Sequence, residues 1–89
     1  MKCIEVVIVN KLGMHARASA KLVSLASSFE SAITVSRDGR SVNGKSIMGI
    51  MMLAAGQGSI LKICAEGRDE DEAGRALHRL IEQRFGEDA

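Results

Sequence analysis

Eighty-nine residues, 46% hydrophobic and 26% charged, predict one soluble domain (residues 1–89) with a modest core of its own. A net charge of +1 offers no broad basic field to hold nucleic acid, and no acidic tract points to a disordered tail. No apolar run approaches the roughly 20 residues that span a membrane, and Lys2 followed by a strand pattern containing Glu5 does not read as a secretory leader.

In chain order the hydrophobic period predicts strand, helix, strand, strand, helical turn, strand, helix. The first strand covers about 2–9, with Ile4, Val6 and Ile8 on one face. The first helix covers about 16–28, where Leu22, Leu25, Ala26 and Phe29 repeat at helical spacing. Ala32 to Ser36 reads as a second strand, and Asp38-Gly39 is a hairpin signal leading into a third over Arg40 to Asn43. Gly44 breaks the chain, Ser46 opens a short helix at about 47–53, and Gly56-Gln57-Gly58 turns it. Ile60 to Glu66 is the fourth strand. The last helix, about 70–84, opens on Asp69 to Glu72, which suit the positive end of its dipole, and buries Ala73, Leu77, Leu80 and Ile81. This βαββαβα order favours an α+β fold with a four-stranded antiparallel sheet and helices on one face. Pattern alone also permits a ferredoxin-like arrangement. Cys3 and Cys64 fall in different strands without metal-ligand spacing. Buried free thiols of a cytosolic protein are expected, and a disulfide does not follow from sequence.

The chemistry concentrates at Asn10-Lys11-Leu12-Gly13-Met14-His15-Ala16-Arg17, which places a histidine where a helix begins. Histidine is not a preferred N-cap, and a local rule broken at an element boundary marks a place where function overrides structure. Helix amides and dipole favour an anion there. Arg17 adds a forked donor suited to phosphate oxygens, although a cation in the first turn costs about 0.3–1 kcal/mol unless an anion compensates. An imidazole with an ordinary pKa of roughly 6.5 is largely neutral and nucleophilic at neutral pH. Taken alone, His-x-Arg also fits a partly exposed turn residue followed by a solvated side chain. The small residues Ala16, Ala18, Ser19 and Ala20 are expected to leave the imidazole and its helix face open to another protein.

This stretch resembles the active-site signature of the HPr family, the histidine-containing phosphocarriers of the bacterial phosphotransferase system. Val42-Asn43-Gly44-Lys45-Ser46-Ile47-Met48-Gly49-Ile50-Met51-Met52-Leu53-Ala54-Ala55 resembles the family's second signature, around its regulatory serine, and the likeness runs from about residue 1 to residue 85. It implies an open-faced β-sandwich with all three helices on one side of the sheet. It also implies that His15 takes a phosphoryl group on Nδ1 from phospho-enzyme I and passes it to EIIA-type domains. Arg17 and the amides of Ala16, Arg17 and Ala18 would hold the phosphate. Such a protein is a phosphorylated intermediate, not an independent enzyme. The resemblance implies a cytoplasmic monomer without cofactor, and nitrogen-pathway regulatory carriers are the alternative within the family. Most members have proline directly after the arginine, where Ala18-Ser19 stands here. A C-terminal carboxylate near the arginine could come from Glu87, Asp88 or the terminus only if the tail folds back.

Ser46 is an ordinary N-cap on local physics. The resemblance adds regulation at this residue by HPr kinase/phosphorylase, whose product would bring about −1.5 to −2 charges to an exposed helix start. The next helix holds more apolar residues than two turns can bury on one face. Ile47, Met48 and Met51 are therefore expected to form a docking surface beside His15, extended by Ala20, Ser24, Lys45 and Gly49, while Ile50 and Leu53 point inward. Methionine suits a surface that must accept several partners, because it repacks readily. A nucleic-acid module would need aromatic platforms on its strands, and the only aromatics, Phe29 and Phe85, fall on predicted helices. A metal site would need more ligands than His15 and His78, and His78 is expected to face solvent.

Overall fold

The computed structural model describes all 89 residues. Strand β1 (Lys2–Val7), helix α1 (Ala16–Ser27), strands β2 (Ala32–Arg37) and β3 (Arg40–Asn43), helix α2 (Ile47–Met52), strand β4 (Ile60–Glu66) and helix α3 (Glu70–Glu82) follow the expected order, and a single tight turn at Arg84–Gly86 closes the chain. The sheet order is β1-β4-β2-β3, with every neighbouring pair antiparallel. Alternation assigns the two faces. Val6, Ile33, Val35, Leu61, Ile63 and Ala65 are buried under the helices, while Glu5, Val7, Thr34, Ile60 and Lys62 face solvent. A polar open face of this kind is the ordinary condition of an antiparallel sheet covered on one side.

Most element ends agree within two residues. Ile8 lies beyond the end of β1, but its backbone still pairs with Ser59 and Gly58, and its side chain is fully buried. The hairpin between β2 and β3 turns on Asp38 (φ 50°) and Gly39 (φ 81°), the left-handed pair that a two-residue turn needs. From this hairpin, Arg37 Nη1 donates to the carbonyl of Leu53 (2.9 Å) and Arg40 Nη1 to that of Met52 (3.2 Å). Two cations thus sit on the C-terminal carbonyls of α2 and fix it against the sheet.

Four expectations need correction. The buried stripe of α1 is Ala18, Ser19, Leu22 and Ala26, whereas Leu25 and Phe29 are only partly covered. Short side chains let this helix pack closely against α2 and α3, and they carry almost no hydrophobic signal in a sequence. On α3, Gly74 joins the buried set and Leu80 stays partly exposed. Neither phenylalanine is helical: Phe29 follows the end of α1, and Phe85 sits in the closing turn with φ 55° and ψ 26°. Finally, Cys3 and Cys64 are not buried free thiols. They stand directly opposite each other on β1 and β4, on the open face, joined by a disulfide.

The acidic start of α3 does more than complement a dipole. Asp69 does not cap its own helix. Its carboxylate accepts from the amides of Glu30 (2.9 Å) and Ser31 (3.0 Å) and from Ser31 Oγ (2.5 Å), tying α3 to the start of β2. Glu70 takes the Gly67 amide (3.1 Å) and the N-terminal ammonium (3.1 Å), which ties it to the first residue of the chain.

Hydrogen bonds from the Ser31 hydroxyl and the Glu30 amide hold the Asp69 carboxyl below its ordinary pKa. A depressed folded-state pKa adds stability that is complete above the unfolded value, about 3.9, and is lost as pH falls through the folded one. Asp69→Ala is therefore expected to melt below wild type at neutral pH. Parallel melts across the acid range should show that gap closing below about pH 4. Phe85 is the largest fully buried side chain. Phe85→Ala is expected to cost about 3–5 kcal/mol in urea unfolding.

Candidate functional site

The loop after β1 is built to present one imidazole. Gly13 has φ 64°, and a Cβ there would lie 2.7 Å from the Ala55 carbonyl oxygen, so only glycine lets the loop press against residues 55–56. The adjacent Met14 amide donates to that same oxygen (2.8 Å). Asn10 is fully buried, and its Nδ2 donates to the Gly13 carbonyl (2.8 Å) across the loop. His15 then takes the N-cap position of α1 with extended backbone (φ −73°, ψ 179°) and no capping bond from its side chain. Its carbonyl accepts the first helical hydrogen bond, from Ser19 N. The amides of Ala16, Arg17 and Ala18 are those that helix geometry leaves without an intrahelical partner, and no acid stands in the first turn to occupy them.

The tail does fold back, to a different partner from the one expected. Glu87 Oε2 lies 2.5 Å from His15 Nε2, and Glu87 Oε1 accepts from Asn10 Nδ2 at 3.1 Å. Arg17 is exposed and pairs with no carboxylate. The hydrogen bond from His15, then that from Asn10, hold the Glu87 carboxyl below the usual glutamate range, against some desolvation. A carboxylate only accepts, so Nε2 is the donor, and in the neutral ring the lone pair falls to Nδ1. Nδ1 has no hydrogen-bond partner in the protein. The imidazole is 29% exposed and the Glu87 side chain 15%, so the ring is reachable while its far edge is held.

Holding Glu87 there requires a bent backbone. Arg84 (φ 58°) and Phe85 (φ 55°) are consecutive non-glycine residues in the left-handed region, at about 1–2 kcal/mol each. Burying the Phe85 ring returns about 1.5–3 kcal/mol. Lys21 Nζ, from α1, adds a 2.7 Å hydrogen bond to the Phe85 carbonyl. The two sides nearly cancel, so the turn is held by packing and not by local preference.

The remaining predicted residues lie on α1 and on or just before α2, two helices in contact. Ala16, Arg17, Ala20 and Ser24 are exposed on α1, but Ala18 and Ser19 are buried, and Ser19 Oγ bonds the Met14 carbonyl (3.1 Å). The open strip is therefore narrower than expected. Ser46 caps α2, its Oγ accepting from the Gly49 amide at 3.1 Å. Ile47, Met48 and Met51 are exposed while Ile50 and Leu53 are buried, and Met52 and Leu12 are further exposed apolar groups that the periodicity did not single out. Lys45 and Gly49 are partly covered: Lys45 Nζ is held by the Phe29 carbonyl (2.7 Å), and Gly49 packs on Val42. His78 is half-exposed beside Glu82. No cluster of three or more His, Cys, Asp or Glu side chains could hold a metal ion, and no helix is long and apolar enough to cross a membrane.

Asn10 carries no expected role in the sequence, and Glu87 only that of one candidate carboxylate for Arg17. A buried asparagine in a turn motif was the available signal for the first. The second had no signal beyond being one of three late carboxylates.

Comparison with known proteins extends this geometry. The profile of the PTS-HPr family, described as the PTS HPr component phosphorylation site, matches residues 2–83. A phosphocarrier protein HPr of Cupriavidus necator is 58% identical over 83 residues, 93% of each chain. That of Xylella fastidiosa strain 9a5c is 54% identical over 84 residues, 94% of each chain. The crystal structure of HPr-C-His from Thermoanaerobacter tengcongensis superposes with a TM-score of 0.97 at 52% identity, covering 100% of both chains. With its sheet order, its histidine at a helix start and these matches over nearly its whole length, the chain belongs to the HPr family of phosphotransferase-system phosphocarriers.

Proposed function

We propose that His15 carries the phosphoryl group, and that Glu87 makes it competent to do so. The observation that carries this reading is the carboxylate at Nε2, which leaves Nδ1 as the only nucleophilic ring atom. Nδ1 attacks the phosphorus of a phosphohistidine on the donor, forming one N–P bond as the other breaks. The ring takes on positive charge as the bond forms, and Glu87 stabilises the Nε2–H that shares it. The free amides of Ala16 and Arg17, with the unpaired guanidinium of Arg17, meet the phosphoryl oxygens, while the buried Ala18 amide acts only as part of the helix dipole. The reverse of these motions passes the group on. A relay needs near-balanced steps, and a partly exposed site serves that need.

In this reading enzyme I is the donor and EIIA-type domains are the acceptors, which membership of the family supports. Both would dock on the strip formed by Ala20, Ser24, Ile47, Met48 and Met51, with Lys45 and Gly49 contributing at its margin. The exposed methionines support several short-lived interfaces at the low end of the usual size range. Ser46 is the regulatory position in this reading, because phosphorylation there would place a dianion within that strip. The protein then works as a single-domain, monomeric cytoplasmic carrier with no cofactor.

Incubation with phosphoenolpyruvate and enzyme I is expected to give an acid-labile phosphoprotein, and His15→Ala none. Failure of the wild type, with enzyme I active on another HPr, would sink the assignment. Glu87→Gln is expected to slow phosphoryl acceptance about tenfold, the equivalent of one charge-assisted hydrogen bond, in a quenched-flow time course. An unchanged rate would remove Glu87 from the mechanism while leaving His15 in place.

A further inference from the structure

The face of the sheet that no helix covers carries a reactive group with no part in phosphoryl transfer. Cys3 lies directly opposite Cys64, and their disulfide closes a sequence separation of 61 residues. The two sulfurs are not equivalent. Strand β1 is the edge of the sheet, so Cys3 has no strand beyond it and is exposed. Cys64 stands between Cys3 and Thr34 of β2 and is partly covered. The flanking charges are mixed, Glu5 and Lys62 to one side and Glu66 to the other, so access and not charge decides which sulfur is attacked.

We propose that this pair is a thiol-exchange site, and that low-molecular-weight thiols modify it at Cys3. A thiolate attacks Cys3 Sγ, the Cys3–Cys64 bond breaks, and Cys64 leaves as a thiolate that takes the proton given up by the incoming thiol. The product is a mixed disulfide on Cys3. A second thiol attacks the added sulfur, departs with it as a symmetrical disulfide, and leaves both cysteines reduced. Two external thiols are oxidised as one protein disulfide is reduced, and every step runs backward in an oxidising buffer. Exchange changes how firmly the N-terminal edge strand is tied to β4. It leaves His15 alone, because the loop bonds of Asn10, Gly13, Met14 and Glu87 lie beyond the other end of β1.

Equilibrating the intact oxidised protein in buffers of reduced and oxidised glutathione, with acid quench and peptide mass mapping, tests this directly. The expected result is reversible titration through an intermediate carrying glutathione on Cys3. Oxidised glutathione should also label Cys64→Ser at Cys3 at least about tenfold faster than Cys3→Ser at Cys64. Reduction should lower the thermal midpoint by roughly 10–25 °C, with phosphoryl acceptance within about twofold of the oxidised protein. A disulfide that persists in excess reduced glutathione, two thiols that never join on oxidation, or an adduct mapping to Cys64 would each overturn the proposal. The wild-type mapping stands even if either serine variant folds poorly.

Discussion

The carboxylate of Glu87 against Nε2 of His15 joins groups 72 residues apart, and the arrangement of the site depends on that contact. It cannot form unless the tail leaves α3 and reverses within a few residues. The left-handed pair Arg84-Phe85 makes the reversal, and the buried Phe85 ring and the Lys21 hydrogen bond keep it. Local backbone preference opposes this turn, so the core holds the geometry around His15. A substitution that merely loosens packing under Phe85 would act on His15 without touching it.

The sheet contributes in a similarly indirect way. Pairing of Ile8 with Ser59 and Gly58 brings the end of β1 beside the loop that precedes β4. Gly13 and Met14 then press onto Ala55, and α1 starts with His15 already in place. The hairpin arginines fix α2 by its C-terminal carbonyls, so its exposed methionines lie on a supported element. Rigid scaffold and adaptable surface are thereby divided between the backbone and the side chains. A surface supported in this way can still repack its methionines against a partner.

Much of this was legible in the sequence, and the exceptions have physical causes. Strands and helices followed from period because each has one buried face, and Asp38-Gly39 announced its turn by its chemistry. His15 stood out because it replaces an ordinary cap. On α1, Leu22, Leu25, Ala26 and Phe29 do pack on the core, and only the burial of Ala18 and Ser19 escapes the period, because it rests on smallness and not on hydrophobicity. Phe85 read as helical because two non-glycine residues in the left-handed region leave no mark in a sequence. The pairing of Cys3 with Cys64 required a register, and a slip of one residue would have sent one of them to the other face. Glu87 was one of three late carboxylates, and only the direction of the final turn selects His15 over Arg17.

A ring held by Glu87 has, when neutral, its proton on Nε2 and its lone pair on Nδ1. Long-range proton–nitrogen NMR of the unphosphorylated protein, at a pH where the His15 ring is neutral, reads that tautomer directly. A dominant Nε2–H form is expected. A ring found chiefly as the Nδ1–H form would contradict it.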